Sequence, residues 1–494
     1  MSMRVQHGAV ALLGVAVGLL FLREPGFGDD LTYWSFAFHL HEEGVAAWSV
    51  HSFHQLRWPV WGLSWLWQAV TGPGLIAYYG VPLVYLALGA ALTFSLGKRL
   101  TASLFAAWAC ALAFLFHPLI DSVCYRPMPD LSEGVCGAAA VLAWWNLMHA
   151  QSQMRRWLFA AATGAAVFIL EANRVTGVFI VPVLALCTFL FFPGRFAWLV
   201  LAGVIAALLY AGECLVYRQL FGDWLHDLTA NSRNAGRKGT EAINPLALPI
   251  RFLDVFVTDR LGLIYSAFAL VGGWVAWLRV GVLGRVVVLW FGVLYLEYAC
   301  AVQSLVPLRP LLRDAERFLS SLAIPGALLA VLGLRQILGF ATQVRVPRIA
   351  MTAGAIVLLL GLTERSFFSL GFVPELRRHL AKVADGTLVF THEGMRDIVF
   401  LVDAWTGRRV RFIAPEKILE RSPELEARAV EAQEFWYARK LVWVSARKRL
   451  ERGGAAPELA SYFATPERDW KLGDVLVIGH APDLVFYRRR TPMM

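Results

Sequence analysis

Gly28-Asp29-Asp30 follows the first long apolar run of the chain directly. A membrane interface penalises unpaired charge, so two adjacent carboxylates there call for a role. A carboxylate at that depth serves as a general base or binds a cation. Asp30 also stands where it would cap a helix opening at Leu31-Thr32-Tyr33-Trp34, because a short acidic side chain accepts the free backbone N–H groups of a first turn. A second group is Tyr125-Arg126-Pro127-Met128-Pro129-Asp130-Leu131-Ser132-Glu133. Its prolines fix a short loop, Asp130 is placed to cap the next helix, and Arg126 and Asp130 are close enough in sequence to pair. A third is Glu171-Ala172-Asn173-Arg174-Val175-Thr176-Gly177, between two apolar runs. Its Arg suits a phosphate, whose oxygens match the planar guanidinium fork, or else an internal ion pair. The fourth is Arg309, Arg313, Asp314, Glu316 and Arg317, just ahead of the apolar run at Phe318. Three arginines there point to a bound anion, an argument that the two neighbouring acids weaken. His39, His41, His51, His54 and His117 lack a strong metal-ligand spacing.

All four groups border apolar segments, and those segments must position them. Hydrophobic residues make up 58% of the 494-residue chain, charged residues only 17%. Mean hydropathy is +0.56. A soluble domain carries roughly 25% charged residues, so a large water-soluble enzyme is excluded. Residues 8–22, 75–97, 102–119, 133–149, 177–192, 196–216, 261–278, 286–302, 318–334 and 349–363 are each nearly uncharged, and 157–170 is a weaker run. Together they predict an α-helical polytopic membrane protein of about eleven transmembrane helices. No small-residue cleavage site follows the first run, which reads as a retained anchor.

Net charge is +10, and its placement argues against nucleic acid as a partner. Arg4, Lys98, Arg99, Arg155, Arg156, Arg195, Arg279, Arg285, Arg335, Arg345 and Arg348 all fall in connections on one side of the expected spans. That side is therefore cytoplasmic and contains the N-terminus. The opposite face holds 23–74, 120–132, 171–176, 217–260, 303–317 and everything after 364, with most of the acids. Leu31–Leu40 and Val60–Val70 are too short to span and read as interfacial segments rich in Trp and Phe. The polar run Asn231–Gly239 reads as a mobile loop over a substrate. The six cysteines read as small apolar residues.

The ordered set resembles the GT-C glycosyltransferases, in particular the protein O-mannosyltransferases and lipid A aminoarabinose transferases. Asp29-Asp30-Leu31-Thr32-Tyr33-Trp34 is similar to their opening acidic pair. Arg126–Asp130 resembles their second acidic loop. Arg174-Val175-Thr176-Gly177 with Pro182 resembles an Arg/Lys-x-Thr-Gly…Pro element, and Arg317-Phe318-Leu319…Pro325 a late Arg-Phe/Tyr-Leu…Pro element. The chain departs from the pattern at Asp30, where many relatives have Glu, and at Glu171. The resemblance covers residues 1–365 and implies inverting transfer of a sugar, hexosyl or pentosyl, from a polyprenyl-phosphate carrier to a glycan, lipid or protein acceptor. It implies that Asp29, with Asp30 beside it, is the general base. Arg126, Arg174 and Arg317 would meet the donor phosphate. Asp130 would orient the site or hold a divalent metal, Mg or Mn.

Residues 366–494 change character. Charge rises and apolar runs shorten, with strands expected at Gly386–Thr391, Leu441–Ser445, Val475–Gly479 and Asp483–Arg488. Helices are expected at Met395–Ala404 and Pro423–Phe435. This pattern predicts a soluble C-terminal α/β domain on the outer face, with a bacterial inner membrane as the setting. Two other classes compete with the transferase: a transporter or flippase, which would show internal repeats and midplane charges absent here, and a non-catalytic assembly factor, in which Asp29 and Asp130 would be dispensable.

Overall fold

The computed structural model describes residues 2–25, 29–48, 53–237, 243–257, 260–305, 308–312, 316–341, 373–381, 388–391, 396–407, 411–413, 436–440, 475–481 and 484–489. The chain divides into two bodies. Met1–Leu22, His39–Ser64 and Tyr79–Phe368 form the first; Arg23–Phe38, Trp65–Tyr78 and Ser369–Met494 form the second.

Apolar runs become helices in the order α1 (Met3–Leu20), α2 (Asp29–Glu43), α3 (Trp58–Thr71), α4 (Leu75–Thr101), α5 (Leu104–Leu115), α6 (Pro129–His149) and α7 (Gln153–Asn173). There follow α8 (Ile180–Phe191), α9 (Phe196–Phe221), α10 (His226–Arg237), α11 (Arg260–Arg279) and α12 (Val282–Cys300). Two short antiparallel strands, β1 (Val302–Leu305) and β2 (Leu308–Pro310), precede α13 (Ala323–Ala341). Local chemistry sets the ends. Ser103 and Ser152 accept the backbone N–H groups of Ala106 and Arg155, each at 3.3 Å, opening α5 and α7. Gly222, with φ of 73°, closes α9 in the left-handed conformation that glycine adopts without strain.

Among the described residues, six helices are long and apolar enough to cross a membrane: α1, α4, α9, α11, α12 and α13, with α9 and α13 taken together with the turns that precede them. The chain is thus an integral membrane protein. The sequence predicts about eleven spans; α6 and α7 match the length at 21 residues each but carry charge, and 349–363 lies outside the described residues. The expected span 102–119 shortens to the 12 residues of α5. His117 ends it: its Nδ1 accepts from Leu119 N at 3.2 Å, and Pro118, which has no N–H, opens a separate 3-10 turn. The outer segment 217–260 is more ordered than expected, because Asn231–Arg237 belongs to α10 rather than to a loop. Likewise Glu171 and Asn173 form the last turn of α7.

Basic residues of several connections gather at one end of the first body. Arg99 Nη1 donates to Asn146 Oδ1 at 3.2 Å, and Arg335 Nη1 to the Thr101 carbonyl at 3.0 Å. The acidic start of α6 lies at the other end of that helix, about 24 Å from Asn146 at 1.5 Å per residue.

α11 and α13 meet backbone to backbone. A Cβ on Gly272 would stand 1.8 Å from the Leu329 carbonyl oxygen, and one on Gly333 would stand 2.0 Å from that of Phe268. Such small-residue contacts are how helices associate where water supplies no drive.

In the second body, α14 (Val373–Leu380) and α15 (Arg396–Thr406) accompany β3 (Leu388–Thr391), β4 (Arg411–Ile413), β5 (Trp436–Lys440), β6 (Val475–Ala481) and β7 (Leu484–Arg489). The five-stranded sheet runs β4-β3-β5-β7-β6. β3 is parallel to β4 and β5, and β7 is antiparallel to β5 and β6. The expected elements Pro423–Phe435 and Leu441–Ser445 lie outside the described residues. The sequence divides at 365; the structural division also gives 23–38 and 65–78 to this body. A packing reason is visible at Gly74, whose missing side chain admits Trp405: a Cβ there would lie 2.7 Å from the indole. Arg377 lies on the same indole, 3.8 Å from its centroid.

The α11–α13 contact yields a direct test. Gly333→Val is expected to cost about 3 kcal/mol or more, because a backbone carbonyl cannot turn aside. Thermal unfolding in detergent reads this out. Gly273→Ala, where no atom lies within 4 Å, is expected to leave the midpoint near wild type.

Candidate active site

The site is built at the start of α6. Met128 holds the cap position without a side-chain hydrogen bond, and Pro129 opens the helix. Asp130 therefore lies inside the first turn rather than at the cap that its sequence position suggests. Asp130 and Glu133 are three residues apart and share one face of α6. Both are buried, 1% and 2% exposed. Two buried carboxylates that both stay ionised need a cation beside them.

Arg174, immediately after α7, is that cation. Its Nη1 donates to Asp130 Oδ1 at 2.8 Å and reaches Glu133 Oε2 at 3.5 Å. Burial alone would lower the Arg174 pKa; Asp130 and then Glu133 more than reverse this, and it lies above its ordinary value. Asp130 thus pairs with Arg174, not with the nearby Arg126 that local spacing suggested. The other oxygen of Glu133 is held by the Thr176 hydroxyl at 2.7 Å and the Tyr298 hydroxyl at 2.9 Å. Ser321 in turn donates to the Tyr298 oxygen at 2.8 Å, and Ser320 to the Asp130 carbonyl at 2.8 Å. Beside the network, Ser132 donates to Asn173 Oδ1 at 2.7 Å, joining α6 to the end of α7.

Arg317 comes from the 3-10 turn Glu316–Leu322 that also carries Ser320 and Ser321. It is partly exposed. The Phe318 ring lies between two guanidinium groups, with Arg174 4.4 Å and Arg317 5.3 Å from its centroid. Arg126, also partly exposed, stacks 4.9 Å from the Tyr125 centroid in the loop before α6. The structure thus brings Asp130 and Arg174 into contact, sets Arg317 one ring away, and leaves Arg126 on the adjoining loop.

Asp29 and Asp30 belong to the second body, in the first turn of α2. The helix opens two residues earlier than a cap at Asp30 requires. Asp30 is 2% exposed and accepts a hydrogen bond from the Tyr78 hydroxyl, while Gln68 Nε2 donates to the Trp34 carbonyl at 3.0 Å. Asp30 is therefore an internal anchor of this helix, and Asp29 is the half-buried member of the pair.

Sequence reasoning left Glu133, Thr176, Tyr298 and Ser321 without roles. The three-residue spacing of Asp130 and Glu133 was a usable signal; Tyr298, inside an apolar run, offered none. A second acidic group also escaped it. Glu171, Glu213 and Asp227 face one another from α7, α9 and α10. Glu213 Oε1 accepts from the Tyr217 hydroxyl at 2.7 Å and from Trp58 Nε1 at 3.1 Å. Burial raises the Asp227 pKa, against the pull of Arg57. For a divalent metal at Asp130 the fit is poor, because that carboxylate already carries the Arg174 guanidinium.

Solved structures share this arrangement of the chain. ArnT from Cupriavidus metallidurans in the apo state superposes with a TM-score of 0.60 at 13% identity, over 98% of this chain and 97% of that one. The same protein bound to undecaprenyl phosphate gives 0.58 at 11%, with the same coverage. The fold is GT-C. The archaeal oligosaccharyltransferase AglB from Archaeoglobus fulgidus, in complex with an inhibitory peptide and a dolichol-phosphate, matches at 0.52 and 10% identity, over 89% of this chain and 70% of its own. No protein-family model and no curated protein matches the sequence. At these identities the likeness is one of fold.

Removing the shared cation is the sharpest test of this group. Arg174→Ala is expected to cost about 3–5 kcal/mol of stability, since two buried carboxylates lose their partner. Unfolding of the purified chain measures it. Combining the change with Asp130→Asn is expected to recover part of the loss, by removing one of the stranded charges.

Proposed function

We propose that this chain is a membrane glycosyltransferase that moves a sugar from a polyprenyl-phosphate carrier to an acceptor on the outer face, with inversion. The observation that carries the reading is the buried Asp130–Arg174–Glu133 network with Arg317 beside it, formed by the very segments that resemble the family motifs. The GT-C fold supports it: ArnT with the same fold is bound to undecaprenyl phosphate, over nearly the whole of both chains.

The chemistry is a single displacement. An acceptor hydroxyl attacks the anomeric carbon from the face opposite the phosphate. Asp29 takes the hydroxyl proton as general base. The bond from the anomeric carbon to the phosphate oxygen breaks, and the polyprenyl phosphate leaves with the electron pair. Arg317 and Arg126 stabilise that leaving anion. Arg174 acts behind them, because its charge is already matched by two carboxylates. No step is assigned to a metal. The transferred group is a hexose or pentose, and the acceptor a glycan, lipid or protein.

Eleven spans complete the membrane part once α5–α8 and 349–363 are counted with the six long apolar helices. The N-terminus is then cytoplasmic, and residues 366–494 form a periplasmic domain at a bacterial inner membrane. That domain serves acceptor recognition.

The test is cell-free. Purified chain is incubated with a panel of radiolabelled polyprenyl-phosphate sugars and membrane acceptor extracts, beside Asp29→Asn. One donor is expected to be consumed by wild type, and at least a hundredfold more slowly by Asp29→Asn at near-unchanged thermal stability, roughly the share expected of a general base. Consumption of no donor by folded wild type would overturn the reading, and full activity of Asp29→Asn would remove Asp29 as the base.

A further inference from the structure

We propose that Glu133 is the positioning residue for the phosphate-binding turn: through Arg174, Tyr298 and Ser321 it fixes the segment that presents Arg317 to the donor phosphate. The proposal rests on the transferase reading above and assigns a role to a side chain which that reading leaves idle.

The network is asymmetric. Glu133 receives three donors: Thr176 at 2.7 Å and Tyr298 at 2.9 Å on one oxygen, Arg174 at 3.5 Å on the other. An ionised carboxylate has lone pairs enough to accept all three. Glu133 is thus the fixed post on α6, held from two other segments of the chain: the stretch after α7 and α12. Asp130 has one such side-chain bond, from Arg174 at 2.8 Å, and its Oδ2 is buried with no hydrogen-bond partner among the described residues.

The turn Glu316–Leu322 is tied to that post at three points. Ser321 donates to the Tyr298 hydroxyl, which donates to Glu133. Ser320 donates to the backbone carbonyl of Asp130, one helical turn before Glu133. Phe318 packs under the Arg174 guanidinium that Glu133 and Asp130 hold. Arg317 is the next residue back along the same turn, partly exposed and near the same ring. Binding groups work when their own supports are locked, so the position of Arg317 is set by a carboxylate that never meets the substrate.

Charge and position make opposite forecasts for Glu133→Gln. Removing a negative charge near an anion site would by itself tighten phosphate binding. Loss of the post sets an amide N–H₂ against donors from Arg174, Thr176 or Tyr298, loosens the turn and weakens binding. The measurement is the affinity of detergent-solubilised full chain for undecaprenyl phosphate, together with donor and acceptor KM in the transfer assay. Glu133→Gln is expected to weaken undecaprenyl phosphate binding and raise donor KM by about tenfold, with acceptor KM unchanged. Ser321→Ala alters no charge, cuts the tie between turn and post, and is expected to shift the same two quantities by about threefold. Arg317→Ala serves as the reference for full loss. Donor binding per folded molecule that is unchanged or tighter in Glu133→Gln overturns the positioning role, including the case in which only folded yield falls. Wild type that binds no undecaprenyl phosphate overturns the transferase reading and this proposal with it.

Discussion

One largely buried guanidinium organises the first body. Arg174 sits where the start of α6 meets the end of α7, and there its charge offsets two carboxylates one turn apart on α6. Everything around it follows from completing that group. Thr176, on the turn after α7, closes toward Glu133. Tyr298 projects its hydroxyl from an otherwise apolar helix for the same reason, and Ser321 then satisfies the Tyr298 oxygen. Exposed ion pairs contribute little to stability; at 1% and 2% exposure the pairs here cannot be broken cheaply. Under the proposed function, rigidity at this point would hold the orientation of the phosphate-binding surface.

Much of this was legible in the sequence, and the limits have physical causes. Acidic and basic residues bordering apolar runs are visible one by one, so Asp29, Asp30, Asp130, Arg126, Arg174 and Arg317 were all candidates. Their pairing was not visible. Asp130 and Arg126 are neighbours along the chain, yet the partner of Asp130 lies 44 residues away, brought in by the α6–α7 hairpin. Hydropathy conceals polar atoms carried by large apolar residues, which is why Tyr298 and Tyr78 went unassigned. It also misleads in polar stretches: Asn231–Arg237 lacks the apolar periodicity that announces a helix, but forms the end of α10. In α5 the error ran the other way, since the apolar run outlasts the helix that Pro118 and His117 cut short.

The acidic pair at 29–30 shows how one motif divides its labour. Tyr78 engages Asp30 and buries it, so the helix start is tied down from within, while its neighbour stays half-buried. Adjacent residues of the same type acquire different duties because successive positions on a helix point about a hundred degrees apart. The same division recurs on α6, where Glu133 is gripped by three donors and Asp130 by one.

The meeting of α11 and α13 bears on how the protein is made. Two glycines let the backbones touch at the crossing, with no side chain between them at those two points. A ribosome delivers α11 first and α13 only after α12 and the β1–β2 ribbon. Until then the groove at Gly272 is lined by lipid, whose tails must be expelled when α13 docks. Membrane integration and completion of this body are therefore separate events, and the turn that carries Arg317, which leads straight into α13, reaches its place only with the second of them.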